Sequence, residues 1–128
     1  MIELRYSAPN ELDIAGTVPE LADVQQAVQE VAKSSGACIE LEANSSIDPS
    51  PYEEVLSKLV VETAVGPMKV SVRNGTIRIA GSPDCLDALA SFLKFKPDAQ
   101  KGDHSHYEYY EGNQWIAPDS VPLVFSVR

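Results

Sequence analysis

Ile14-Ala15-Gly16-Thr17 returns 65 residues later as Ile79-Ala80-Gly81-Ser82, and the flanking patterns return with it. Before the first copy, Ile2, Leu4 and Tyr6 alternate with Glu3 and Arg5. A Ser7-Ala8-Pro9-Asn10 turn follows, and Leu12 and Ile14 alternate again. Period two marks a strand with one buried face. Before the second copy, Met68, Val70 and Val72 alternate, Asn74-Gly75 gives a two-residue hairpin turn, and Ile77 and Ile79 resume the alternation. A helix start follows each glycine. Thr17 offers an N-cap oxygen, Pro19 fits the first turn and Glu20 completes a capping box, while Ser82 and Pro83 repeat the cap and the proline. Leu21, Val24, Val28 and Val31 predict a helix over 18–34 that ends at Gly36. Leu86, Leu89, Ala90 and Leu93 predict a second helix that ends at Lys94-Phe95-Lys96 before Pro97.

The correspondence continues after the helices. Residues 37–43 and 104–110 read as strands, and Leu123-Val124-Phe125 closes the chain where Leu59-Val60-Val61 closes the first half. The loop 44–53 separates the first pair, with Glu53-Glu54 expected at a solvated helix start. The chain thus predicts an α+β fold made of tandem ββαββ units, about 1–65 and 66–128, within one domain. One helix and four short strands cannot cover both faces of a sheet. The expected architecture is therefore one largely antiparallel sheet with both helices on one face. Its other face would present Glu40 and Glu42, opposite Ile39 and Leu41.

A chain of 128 residues with 44% hydrophobic content suffices for one packed core. No run approaches the ~18 apolar residues of a membrane span, and the first residues lack the pattern of a secretory signal, so a cytoplasmic protein is expected. Cys38 and Cys85 lie in apolar surroundings without CxxC spacing and read as reduced thiols, partly or fully buried. The net charge of −9 disfavours binding to nucleic acid or to an anionic membrane. That charge sits wholly in the first half, where residues 1–65 hold twelve acids and three bases against seven of each in 66–128. Such a one-sided excess suits a basic partner.

No catalytic set is present: GxSxG, the P-loop, GxGxxG and a cysteine with an assignable histidine are all missing. On a strand His104, His106 and Glu108 would project together, and the HxHxxxxE spacing is similar to the first cupin motif, which makes a metal or small-molecule site an alternative. These are the only two histidines, however, and the second cupin motif is missing, so no metal and no cofactor are expected. A structural homodimer is the other alternative. Tyr107, Tyr109, Tyr110 and Trp115 fall within nine residues, and Tyr and Trp are common anchors of protein interfaces.

The segments Ile79-Ala80-Gly81-Ser82-Pro83, Asp103-His104-Ser105-His106 and Ala117-Pro118-Asp119-Ser120-Val121-Pro122-Leu123-Val124 resemble the immunity-protein-thirty-two family, over roughly residues 57–128. These small proteins are encoded beside bacterial polymorphic toxins. The resemblance implies a non-enzymatic protein that binds a cognate toxin, often a nuclease, and occludes its active site. It supplies no catalytic residue. Glu40, Glu42, Asp48, Glu53 and Glu54 are the expected contacts to a basic toxin, with Tyr109, Tyr110 or Trp115 as apolar anchors.

Overall fold

The computed structural model describes residues 1–34 and 36–128. The chain opens with β1 (Glu3–Ser7), β2 (Glu11–Gly16) and α1 (Val18–Lys33), followed by β3 (Cys38–Glu42), β4 (Glu54–Leu56) and β5 (Lys58–Thr63). The second half runs β6 (Lys69–Arg73), β7 (Thr76–Gly81), α2 (Pro83–Phe92), β8 (His104–Tyr107) and β9 (Leu123–Val127). Local chemistry accounts for most boundaries. The Thr17 hydroxyl accepts the Glu20 N–H and the Glu20 carboxylate accepts the Thr17 N–H, so both halves of the capping box form. Ser82 caps α2 through the Cys85 N–H. Asn74 and Gly75 take φ of 52° and 77°, as a tight hairpin turn requires.

The expected single sheet is in fact two mostly antiparallel sheets. Strands β4-β1-β2-β9-β8 form the first and β3-β5-β7-β6 the second. Each half gives its hairpin to one sheet and its last strand to the other, with β9 parallel to β2 and β5 parallel to β7, while β4 stays with its own hairpin as the edge strand beside β1. Parallel neighbours need a long connection. Here each half supplies its parallel neighbour to the hairpin of the other, which aligns Leu59 and Val61 with Ile77 and Ile79. The helices, expected on one face of one sheet, instead pack on each other and serve both sheets. Helix α1 reaches β2 and β9 as well as β3 and β5, and α2 reaches β7. One apolar cluster results, joining Leu4, Ile14 and Phe125 of the first sheet, Leu59, Val61 and Ile79 of the second, and the helical Val28 and Leu86.

The register across the two parallel contacts is the same. Ile14 faces Phe125 where Ile79 faces Val61, and Gly16 faces Val127 where Gly81 faces Thr63. The Arg128 N–H donates to the Gly16 carbonyl at 3.0 Å, and the Ala64 N–H donates to the Gly81 carbonyl at 2.9 Å. The two glycines therefore hold corresponding corners. Duplication of one ββαββ unit is the proposal with which this register agrees. In the same register Glu40 pairs with Val60 and His106 with Val124, so Glu42 is the counterpart of Glu108.

Three further expectations are corrected. Glu54 opens the edge strand β4 rather than a helix, because Leu56 finds a core place opposite Leu4. Strand β8 stops at Tyr107, and residues 108–110 turn away from β9. Cys85 is buried, but Cys38 is exposed on the outward face of β3 that it shares with Glu40 and Glu42.

Candidate functional site

Helix α2 presents two apolar stripes. Leu86, Leu89, Ala90 and Leu93 enter the core, while Cys85, Ala88, Leu89 and Phe92 follow the i, i+3, i+4, i+7 spacing toward a neighbouring depression. Phe92 remains 65% exposed there, which is unusual for a phenylalanine on a helix with an available core. Across from it lie Tyr107 at the end of β8 and the 108–116 loop with Tyr110 and Trp115. Together these residues line an open groove of about 300 Å3 floored by Met68, Leu89 and Ile116. Phe92 and Tyr107 stand with ring centroids 6.1 Å apart, and Tyr107 meets Phe125 edge-on at 5.8 Å, which fixes it between groove and core. Burial pushes the Tyr107 hydroxyl above its ordinary range, so the phenol stays neutral.

The loop wall is built rather than left free. Asn113 organises it: its side-chain oxygen accepts the Trp115 N–H at 2.9 Å, its side-chain amide donates to the Glu108 carbonyl, and its own N–H donates to the Tyr110 carbonyl at 2.9 Å. The chain then runs beside β6. Met68 N–H donates to the Trp115 carbonyl and Ala117 N–H to the Met68 carbonyl, both at 2.8 Å, and the Ser120 hydroxyl accepts the Val70 N–H at 2.8 Å. A partner meeting these aromatics would pay little ordering entropy.

A smaller groove of about 250 Å3 lies at the corresponding place in the first half. Ile2 stands where Met68 stands, Glu20 for Cys85, Asp23 for Ala88, Leu41 for Tyr107 and Glu42 for Glu108. One framework thus carries an acidic lining in one half and an aromatic lining in the other.

The eight anticipated contact residues divide among separate places. Tyr110 and Trp115 line the aromatic groove, whereas Tyr109 is exposed and lies outside its lining. Glu40 and Glu42 share the outward face of β3, but the register across that sheet also sets Lys58, Lys69, Arg73 and Arg78 on the same face. Glu40 pairs with Lys58 at 3.6 Å and Glu62 with Arg78, so this face is a balanced mosaic rather than an acidic one. Asp48, Glu53 and Glu54 belong to the edge of the other sheet. There the Arg5 guanidinium donates to the Asp48 carbonyl, and the Glu53 N–H donates to the Ser7 hydroxyl. Ion pairs among the described residues engage Glu3, Glu20, Glu40, Glu62 and Asp119, and leave the carboxylates of Glu42, Asp48, Glu53 and Glu54 outside them.

His104 and His106 share the outward face of the first sheet, their rings edge-to-face at 4.9 Å. Glu108 lies beyond the strand's end, and among the described residues no three His, Cys, Asp or Glu side chains form a group that could hold a metal. Across β9 from them, Asp13 is buried in mid-sheet with its carboxylate accepting the Ser126 hydroxyl at 2.7 Å. Phe92 and Asn113 were not among the anticipated residues. The second stripe of α2 carries the signal for the first, whereas Asn113 acts through turn geometry that spacing does not reveal.

No helix among the described residues is long and apolar enough to cross a membrane. Neither a curated protein nor a solved structure gives a significant match to the chain. Residues 76–127, somewhat less than half of the chain, match a family model described as Immunity protein 32, and that segment supplies every lining residue of the aromatic groove except Met68.

Proposed function

We propose that the protein is a non-enzymatic immunity protein that binds and neutralises a cognate bacterial toxin domain of basic, nuclease type. The carrying observation is that the segment matching the immunity-protein model also builds the preorganised aromatic groove. Exposed Tyr, Trp and Phe side chains on a backbone that is tied down are what a protein interface uses as anchors. The excess negative charge supplies the long-range part of recognition, steering a basic partner toward the inhibitor. Of the acids, Asp48, Glu53 and Glu54 suit that task best, because their loop is tied down and their carboxylates are outside the ion pairs. Glu40 and Glu42 contribute less, since four bases share their face. Inhibition follows when the bound protein covers the basic cleft through which the toxin would reach its substrate.

The test is co-expression with the toxin domain encoded beside the gene. Rescue of growth, with a stable one-to-one complex on purification, is the expected result. Continued killing by that toxin at equal expression, with no complex detected, contradicts the reading.

A further inference from the structure

We infer that the aromatic groove is a receptor for a single cationic side chain, an arginine of the partner. The inference rests on the immunity reading for the partner's identity but not for the chemistry of the groove. Phe92, Tyr107, Tyr110 and Trp115 all line this one depression. Aromatic faces carry negative quadrupole potential, and a guanidinium stacks on them better than an ammonium does. Among the described residues that line the groove Glu108 is the one acid, His106 stands beside it, and there is no Lys or Arg. An exposed acid at the rim of an aromatic groove favours a cationic occupant over an aliphatic one.

The corresponding groove of the first half supports the assignment. Glu42 occupies there the position of Glu108, so an acidic residue borders both grooves, although the remaining linings differ in polarity. Size sets the occupant. At about 300 Å3 and open to solvent, the groove lies at the bottom of the range for small-molecule sites, which suits one long side chain rather than a cofactor. Asn113 and the strand-like pairing of Trp115 with Met68 tie down the backbone that carries Tyr110 and Trp115.

The experiment needs no toxin. Trp115 is the only tryptophan of the chain, so its fluorescence and its indole N–H resonance report on the groove directly. The probes are N-acetyl-arginine methylamide and the citrulline analogue, which has nearly the same shape but no charge. The arginine derivative is expected to saturate the signal in the millimolar range, with citrulline clearly weaker. Glu108→Gln should weaken arginine binding about two- to fivefold, as expected for an exposed ion pair. Tyr110→Ala should do so by a similar factor, as expected for one exposed cation–π contact. Both side chains are exposed, so neither change threatens folding. Equal binding of arginine and citrulline, or no saturable shift of the Trp115 resonance, overturns the inference. Toxin binding retained alongside that failure would leave the immunity reading intact, and an arginine site in a protein that binds no toxin would do the reverse.

Discussion

Gly16 and Gly81 hold corresponding corners but tolerate a methyl group differently. A Cβ on Gly81 would come within 2.8 Å of the Met68 Cα, and backbone cannot yield as a side-chain tip can. On Gly16 the nearest atoms are the Glu20 Cβ at 3.2 Å and Leu21 Cγ at 3.4 Å. Gly81→Ala should therefore cost about 1–3 kcal/mol by overpacking, and Gly16→Ala about 1 kcal/mol or less. Urea denaturation of both variants checks the order. Asp13 gives a second residue-scale prediction. Burial raises its carboxyl above the ordinary value, against the pull of the Ser126 hydroxyl bond and the Arg5 charge. An acid whose folded pKa is raised loses stability as pH climbs from its unfolded pKa through the folded one. Asp13→Asn keeps an oxygen for Ser126 and removes that loss. The stability difference between variant and wild type should be small at acid pH, grow through this window in the variant's favour, and level off above it. A difference that instead grows toward acid pH would contradict the account.

At the scale of elements, the helix starts were legible because capping is local chemistry. Thr17, Pro19 and Glu20 can be read in a row, and so can Ser82 and Pro83. Thr17→Ala should cost about 1 kcal/mol, measurable as a lower midpoint of thermal unfolding, with Ser82→Ala similar. The Asn74-Gly75 hairpin was legible for the same reason. Strand partners were not, because alternation tells which face of a strand is buried but not which neighbour it meets. The alternation of Leu59 and Val61 does not name the neighbours that β5 finds, antiparallel β3 on one side and parallel β7 on the other. Strand β4 is three residues long and shows no period at all. Residues 108–110 continued the alternation of β8 on paper, but the chain must turn back there to bring Trp115 to Met68. The aromatics of the site were therefore visible as a cluster, while the groove they form was not.

For the whole molecule, the exchange of strands has a direct consequence. Each hairpin takes its parallel neighbour from the other half, so either half alone would expose an unpaired edge and half of the apolar cluster. Fragments 1–65 and 66–128 should each be unfolded alone and should recover native circular dichroism when mixed. A folded, monomeric 1–65 fragment would contradict the topology. Most of the order of elements behind the proposed repeat was legible in sequence, β4 excepted, but the interlocking of the halves was not, since the same order suits two separate units. The same interlocking places an acidic groove and an aromatic groove on one rigid framework, and it is the aromatic one that the account makes the docking site. The affinity of the neighbouring toxin domain for wild type and for a Phe92→Ala/Tyr110→Ala variant tests that claim most directly. Weakening of about 30-fold or more, as for hot-spot residues, carried mainly by faster dissociation, is the expected result. Unchanged affinity in a variant with native circular dichroism would contradict it.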